Sequence, residues 1–80
     1  MALAPLRLSV LEDSPHYDPI FYHKSICVTL NGVRQREVIT YDRVEGWLDR
    51  YEMAGSVPMV IDGEFCVERV RGVISAWIED

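Results

Sequence analysis

The chain has 80 residues, 49% hydrophobic and 26% charged, with thirteen acidic side chains against seven arginines and one lysine for a net charge of −5. That length allows one domain at most, of a size that buries roughly 60% of the surface its unfolded chain exposes. Phosphate attraction needs the opposite charge balance, so nucleic acid is not an expected partner; nor is a membrane, since no apolar run nears the roughly 18 residues that cross a bilayer.

The opening MALAPLRLSV lacks a basic segment followed by a long apolar region, so the expectation is a cytoplasmic chain without a signal peptide. Cys27 and Cys66 are then expected as free thiols on small, half-buried side chains. A domain this small, with no metal motif and no dense cysteine framework, often gains stability by self-association.

Residues 1–24 read as an extended N-terminal arm with room for one short strand, because Leu6, Leu8 and Val10 alternate along it. Pro15 and Pro19 fix their own φ angles and push Ser14 and Asp18 away from helical geometry. The arm is rich in aromatics: Tyr17, Phe21 and Tyr22 beside His16 and His23. These either form an adhesive interaction arm, since Tyr and Phe offer large contact area at small entropic cost, or fold back with Ile20 over one end of a small core.

From Ser25 the period-two signature of a half-buried strand is clear: Ile26, Val28 and Leu30 fall on one side, Cys27 and Thr29 on the other. Asn31-Gly32 is the pair best suited to a two-residue type I′ turn. A return strand over 33–40 follows, its polar run from Arg34 to Glu37 suited to a hairpin tip in water.

The next segment supports two readings. As a helix, Asp42 is the N-cap, Glu45 completes a capping box, and Val44, Trp47, Leu48 and Tyr51 share a face that Gly55 ends. As a strand, it gains from the β-preferring aromatics and from Gly46, which costs a helix interior roughly 1 kcal/mol relative to Ala. Beyond Gly55, residues 57–61 lead into Asp62-Gly63, a second type I′ candidate, and Phe65 starts the return. Residues 66–78 read as a long closing strand, with Val70, Ile74, Ala76 and Ile78 on one face and Gly72 as a bulge or close-approach point.

The combination VTLNGVRQREVITYDRVEGWLDRY, a turn-rich insert and ERVRGVI resembles a group of small uncharacterised proteins found in tailed-bacteriophage and prophage genomes. Those proteins share an apolar strand, a D/N-G turn, an acidic step into a G-aromatic-apolar segment, and a late strand with E-R-x-x-G-x-V. The positions that carry the likeness are 28–32, Asp42, 46–48, Tyr51, Glu68, Arg69, Gly72 and Val73, within residues 26–78. The N-terminal arm lies outside it, and the group brings no enzymatic residue. The resemblance implies that the G-aromatic-apolar stretch is the first half of a hairpin, which selects the strand reading for 44–53.

The expected fold is therefore mainly β: a small antiparallel curled sheet or compact barrel of five to six strands over 25–80, with an α+β version carrying one helix near 43–54 as the alternative. No catalytic, cofactor-binding or metal role is assigned. The nearest pair of potential zinc ligands, His23 and Cys27, lacks the close spacing that announces such sites. The carboxylate pairs Glu12-Asp13 and Asp62-Glu64 sit beside turns, where solvated carboxylates are ordinary.

Protein contacts are the expected function, with Tyr17, Phe21, Tyr22, Arg34, Arg36, Arg69, Arg71 and Trp77 as candidate contact residues, because Arg and aromatics are enriched among interface anchors. Cross-strand ion pairs with Glu37, Glu45, Asp49 and Glu68 are the competing use of the arginines. The resemblance implies a non-enzymatic phage or prophage protein acting by self-association or on a protein partner, in virion assembly. The alternative is an inhibitor or modulator of a host enzyme.

Overall fold

The computed structural model describes residues 2–21 and 24–79. Their strands are β1 (Ala2–Leu3), β2 (Arg7–Ser9), β3 (Ser25–Leu30), β4 (Val33–Arg34), β5 (Val38–Asp42), β6 (Trp47–Tyr51), β7 (Met53–Ala54), β8 (Val57–Pro58), β9 (Val60–Ile61), β10 (Glu64–Phe65), β11 (Val67–Arg71) and β12 (Ile74–Glu79). The protein is mainly β, and six of these strands have three residues or more. They build two four-stranded antiparallel sheets, ordered β1-β12-β3-β4 and β11-β6-β5-β2, while β7-β8 and β9-β10 form two small hairpins. Among the described residues no barrel closes, and no helix is long and apolar enough to cross a membrane.

Alternation along the strands decides where the core sits. Leu8, Val28, Tyr41, Leu48, Ile74 and Ala76, drawn from both sheets, form one buried cluster with Ala4. Ile26, Leu30, Val70 and Ile78 pack around it, in line with the faces read from the sequence. Cys27 is more buried than its alternating position suggests, whereas Cys66 is half-buried. Trp77 stands opposite Cys27 across the β3-β12 ladder. Burial and a hydrogen bond to Glu79 push the Cys27 thiol up, against the opposing charge of Arg34.

Asn31 at φ 51° and Gly32 at φ 84° make the expected turn. The return is shorter than the 33–40 strand expected of it. β4 pairs through Val33 and Arg34, the Gln35 N–H donates to the Val28 carbonyl at 2.8 Å, and Glu37 at φ 59° then turns the chain into the other sheet. Residues 34–37 carry no apolar face to keep them on β3, and a register shift between Val38 and Thr40 starts β5.

Both readings of the 42–53 stretch leave a trace. Asp42 Oδ1 accepts the N–H groups of Val44 and Glu45 at 2.8 and 2.9 Å, as a helix cap does, and the Gly46 N–H reaches the Asp42 carbonyl at 3.0 Å. No helix follows: residues 43–46 form only a turn, which Gly46 closes at φ 77°. From Trp47 the chain is β6, paired with β5 on one side and β11 on the other.

The last run divides at Gly72 into β11 and β12, one in each sheet. Gly72 is the close-approach point: its N–H donates to the Gly46 carbonyl at 3.0 Å, and a Cβ there would lie 2.7 Å from Leu30 Cδ1. Next to it, Asn31 Oδ1 accepts the Val73 N–H and the Asn31 N–H donates to the Val73 carbonyl, both at 2.8 Å. These bonds fasten the hairpin turn of one sheet to the β5-β6 turn of the other.

Residues 2–9, placed by their sequence in the N-terminal arm, run as β1 against β12 and β2 against β5. Tyr41 anchors this segment by donating to the Pro5 carbonyl at 2.7 Å, and burial pushes its phenol up to about 12 against the opposing charge of Arg43. Beyond β2 the arm turns, bonds back through the Ser9 N–H to the His16 carbonyl, and contains a 3-10 turn at Pro19–Phe21.

Asp42 is the charged group most deeply set in the sheets, at 2% exposure. Burial alone would raise its carboxyl, but bonds from the Glu45 N–H, the Arg7 guanidinium and the Val44 N–H, with the charge of Arg7, hold it below the usual range. A carboxyl held low in the folded state stabilises above its unfolded pKa and loses that contribution as pH falls through the folded value. Urea unfolding from about pH 6 to about pH 2 is expected to show stability falling below about pH 4. Asp42→Asn should flatten that fall, and an unchanged slope in the variant would rule out this carboxylate as its source.

Candidate functional site

The candidate contact residues are dispersed. Tyr17 and Phe21 are half-buried and wall a cleft of about 360 Å³ with Leu8, Ile26, Val38 and Tyr41. Phe21 packs on the core, whereas Ile20 is 68% exposed. Here the arm covers one open end of the two sheets, with Lys24, Asp18 and Glu37 at the cleft. Tyr22, like His23 of the potential zinc pair, lies outside the described residues.

The arginines fall into two groups on different parts of the molecule. Arg69 and Arg71 belong to β11, while Trp77 lies on β12 in the other sheet, so these three form no common ridge. Arg69 instead lies 3.7 Å over the Trp47 ring and makes a two-pronged bond to Asp49 at 2.8 and 3.1 Å. Arg34 and Arg36 are near each other and meet Arg50, Gln35, Tyr51 and Met53 around a groove of about 390 Å³. Arg50 bonds Glu68 at 2.8 Å and Gln35 Oε1, and Arg34 reaches Glu79 at 3.0 Å. Arg36 is exposed and pairs with no carboxylate among the described residues.

A third region, not singled out from the sequence, carries the clearest surface signal. Beyond Tyr51 and Val67 the β6-β11 ladder gives way to the β7-β8 and β9-β10 hairpins. A closed ring of backbone bonds joins the three: Glu52 N–H to the Cys66 carbonyl at 2.8 Å, Met59 N–H to Glu52 at 2.8 Å, and Cys66 N–H to Met59 at 3.0 Å. The ring satisfies the backbone groups where the strands diverge.

Strands of two residues cannot cover each other's side chains. Met53, Val57, Val60, Ile61 and Phe65 are therefore exposed, and with Val67 at the start of β11 they are 38–59% exposed, six of the fourteen exposed large hydrophobics among the described residues in 15 residues of chain. Register makes part of this one continuous surface: Phe65 stands opposite Val60, Tyr51 opposite Val67, and the Tyr51 and Phe65 rings meet at 5.3 Å. Apolar clustering on this scale marks interaction sites, whereas single exposed apolar residues need no explanation.

Along this stretch of chain the charge has one sign. Between Arg50 and Arg69 there is no basic residue, while Glu52, Asp62, Glu64 and Glu68 are acidic. Asp62 at φ 53° and Gly63 at φ 80° form the expected second turn, which carries Asp62 and Glu64 to the exposed end. Among the described residues, Asp62 and Glu64 have no cation within ion-pair distance. Two features legible in the sequence mark this end, the charge asymmetry of 51–68 and its two closely spaced turns at Gly55 and Asp62-Gly63.

Among the described residues, no three His, Cys, Asp or Glu side chains are grouped to hold a metal ion. Comparison with protein-family models, with curated proteins and with solved structures finds no match for this chain.

Proposed function

We propose that this chain is a non-enzymatic protein that works through protein contacts made at the hairpin end. The observation that carries this reading is the concentration of exposed apolar side chains on residues 53–67 under an acidic rim. The resemblance to small phage and prophage proteins supplies the setting: a chain made in the host cytoplasm that takes part in particle assembly. An apolar centre with a charged rim is the usual anatomy of a protein-binding patch.

The test is binding of the purified protein to dissociated virion components of the phage or prophage that encodes it. Val60→Ser and Phe65→Ser, both at exposed positions, are expected to weaken capture at least about tenfold with unfolding midpoints within about 1 kcal/mol of the parent. Equal capture by parent and variants would dismiss the hairpin end as the contact surface. Capture of one host enzyme and no virion component would replace the assembly reading with that of an inhibitor.

A further inference from the structure

The geometry points to a second copy of this chain as an occupant of the hairpin end, in a twofold dimer that sets Asp62 and Glu64 of each copy against Arg36 of the other. This rests on the hairpin end being the contact surface, and it names a partner for it.

Three observations place the contact. First, the groove holding Arg34, Arg36 and Arg50 is also lined by Tyr51, Met53 and Glu68, and Met53 belongs to the exposed apolar surface. With Arg50 bonded to Glu68 and Arg34 to Glu79, the free guanidinium at the groove among the described residues is Arg36, next to the apolar residues that lead into the acidic hairpin. Secondly, a twofold contact is isologous, so whatever one copy presents to its mate it also receives. An axis through the Tyr51-Met53 middle brings opposite charges together twice, whereas an axis through the hairpin tips would set acid on acid. Thirdly, the groups left over match. Arg34 and Arg50 are engaged within the chain; of the two exposed arginines without a carboxylate among the described residues, Arg36 and Arg71, Arg36 is the one at this groove, and Asp62 and Glu64 likewise lack a cation there.

The area suffices. A standard interface takes about 800 Å² from each partner, about one seventh of the 5596 Å² surface of this molecule. Residues 51–68 are more than a fifth of the chain, and most of them are exposed. A domain with so small a core also stands to gain stability from covering them.

Sedimentation equilibrium of the full chain from about 1 μM to about 1 mM tests the dimer. Arg36→Glu and, separately, Glu64→Lys are expected to raise the dimer dissociation constant at least about tenfold, since each change enters the interface twice and sets like charges together. Arg36→Glu combined with Glu64→Lys should return it to within about threefold of the parent. Asp62→Asn keeps a residue that accepts positive φ at the turn and should weaken the dimer with no loss of folding.

A parent chain that stays monomeric throughout, or a dimer unmoved by both single reversals, overturns the pairing. The hairpin end itself fails separately, through Val60→Ser and Phe65→Ser: if they weaken capture of a virion component while the parent is monomeric, only the dimer is lost. If they change neither association nor capture, both readings go.

Discussion

Replacing Leu48 with Ala is expected to destabilise the protein by about 3 kcal/mol or more, the range for emptying a fully buried leucine site. Among the described residues Leu48 is the one large side chain with 0% exposure, and it lies on β6, between β5 and β11, in the cluster to which both sheets contribute. A chain of 80 residues has a total stability of roughly 4–12 kcal/mol, so the variant forfeits a large part of it. The melting temperature should fall by roughly 12–25 °C, as a domain of this size loses about 4–8 °C per kcal/mol. Leu48→Met, which keeps the volume, is expected to cost less than about 1.5 kcal/mol. Urea unfolding followed by circular dichroism checks both, and a loss under about 1 kcal/mol for Leu48→Ala would mean that the two sheets do not close on this side chain.

Gly46→Ala is expected to cost about 3 kcal/mol through a different cause. Its φ of 77° disfavours any side chain, and its Cβ would stand 2.7 Å from the Gly72 carbonyl oxygen, a backbone atom that cannot swing aside. Relieving the clash moves the β5-β6 turn away from Gly72 and breaks the Gly72 N–H bond to the Gly46 carbonyl. Gly32→Ala provides the comparison, because Gly32 has a similar φ of 84° with open space around its Cβ position. It should cost only the backbone part, about 1–2 kcal/mol. Equal losses at the two positions would show that the Gly46-Gly72 approach contributes nothing to holding the sheets together.

These two positions also show how unevenly the architecture can be read from the residues. Leu48 is apolar in either reading of its segment, helix or strand, so its burial is legible without knowing which is formed. Gly46 could be read only as a residue that weakens a helix. Its role as a pivot depends on Gly72, 26 positions away in the sequence, which no local pattern connects to it. Asp42 likewise caps a turn by its own local chemistry, but its ion pair with Arg7 at 2.7 Å requires β2 to lie beside β5.

The candidate site divides in the same way. Arg34 and Arg36 are close in sequence and stay close in space, because a hairpin preserves local order. Arg71 and Trp77 separate, because the chain changes sheet between them at Gly72. Period-two counting along 66–78 sets Arg69, Arg71 and Trp77 on the face opposite Val70 and Ile74, but it holds only while a strand continues. The hairpin end was harder to see, since Val57, Val60, Ile61 and Phe65 look like core material until the strands that carry them are known to be two residues long.

Residue order alone settles the turns at Asn31-Gly32 and Asp62-Gly63, the alternating core faces of β3 and β12 and the acidic stretch of 51–68. Each depends on neighbours in the chain, through positive φ, the period of the strand or charge spacing. The division into two sheets, the Gly46-Gly72 junction, the place of Leu48 between β5 and β11 and the exposure of the hairpin end are settled by packing. Each depends on which distant backbone lies alongside, and that follows from burying one small core as a whole.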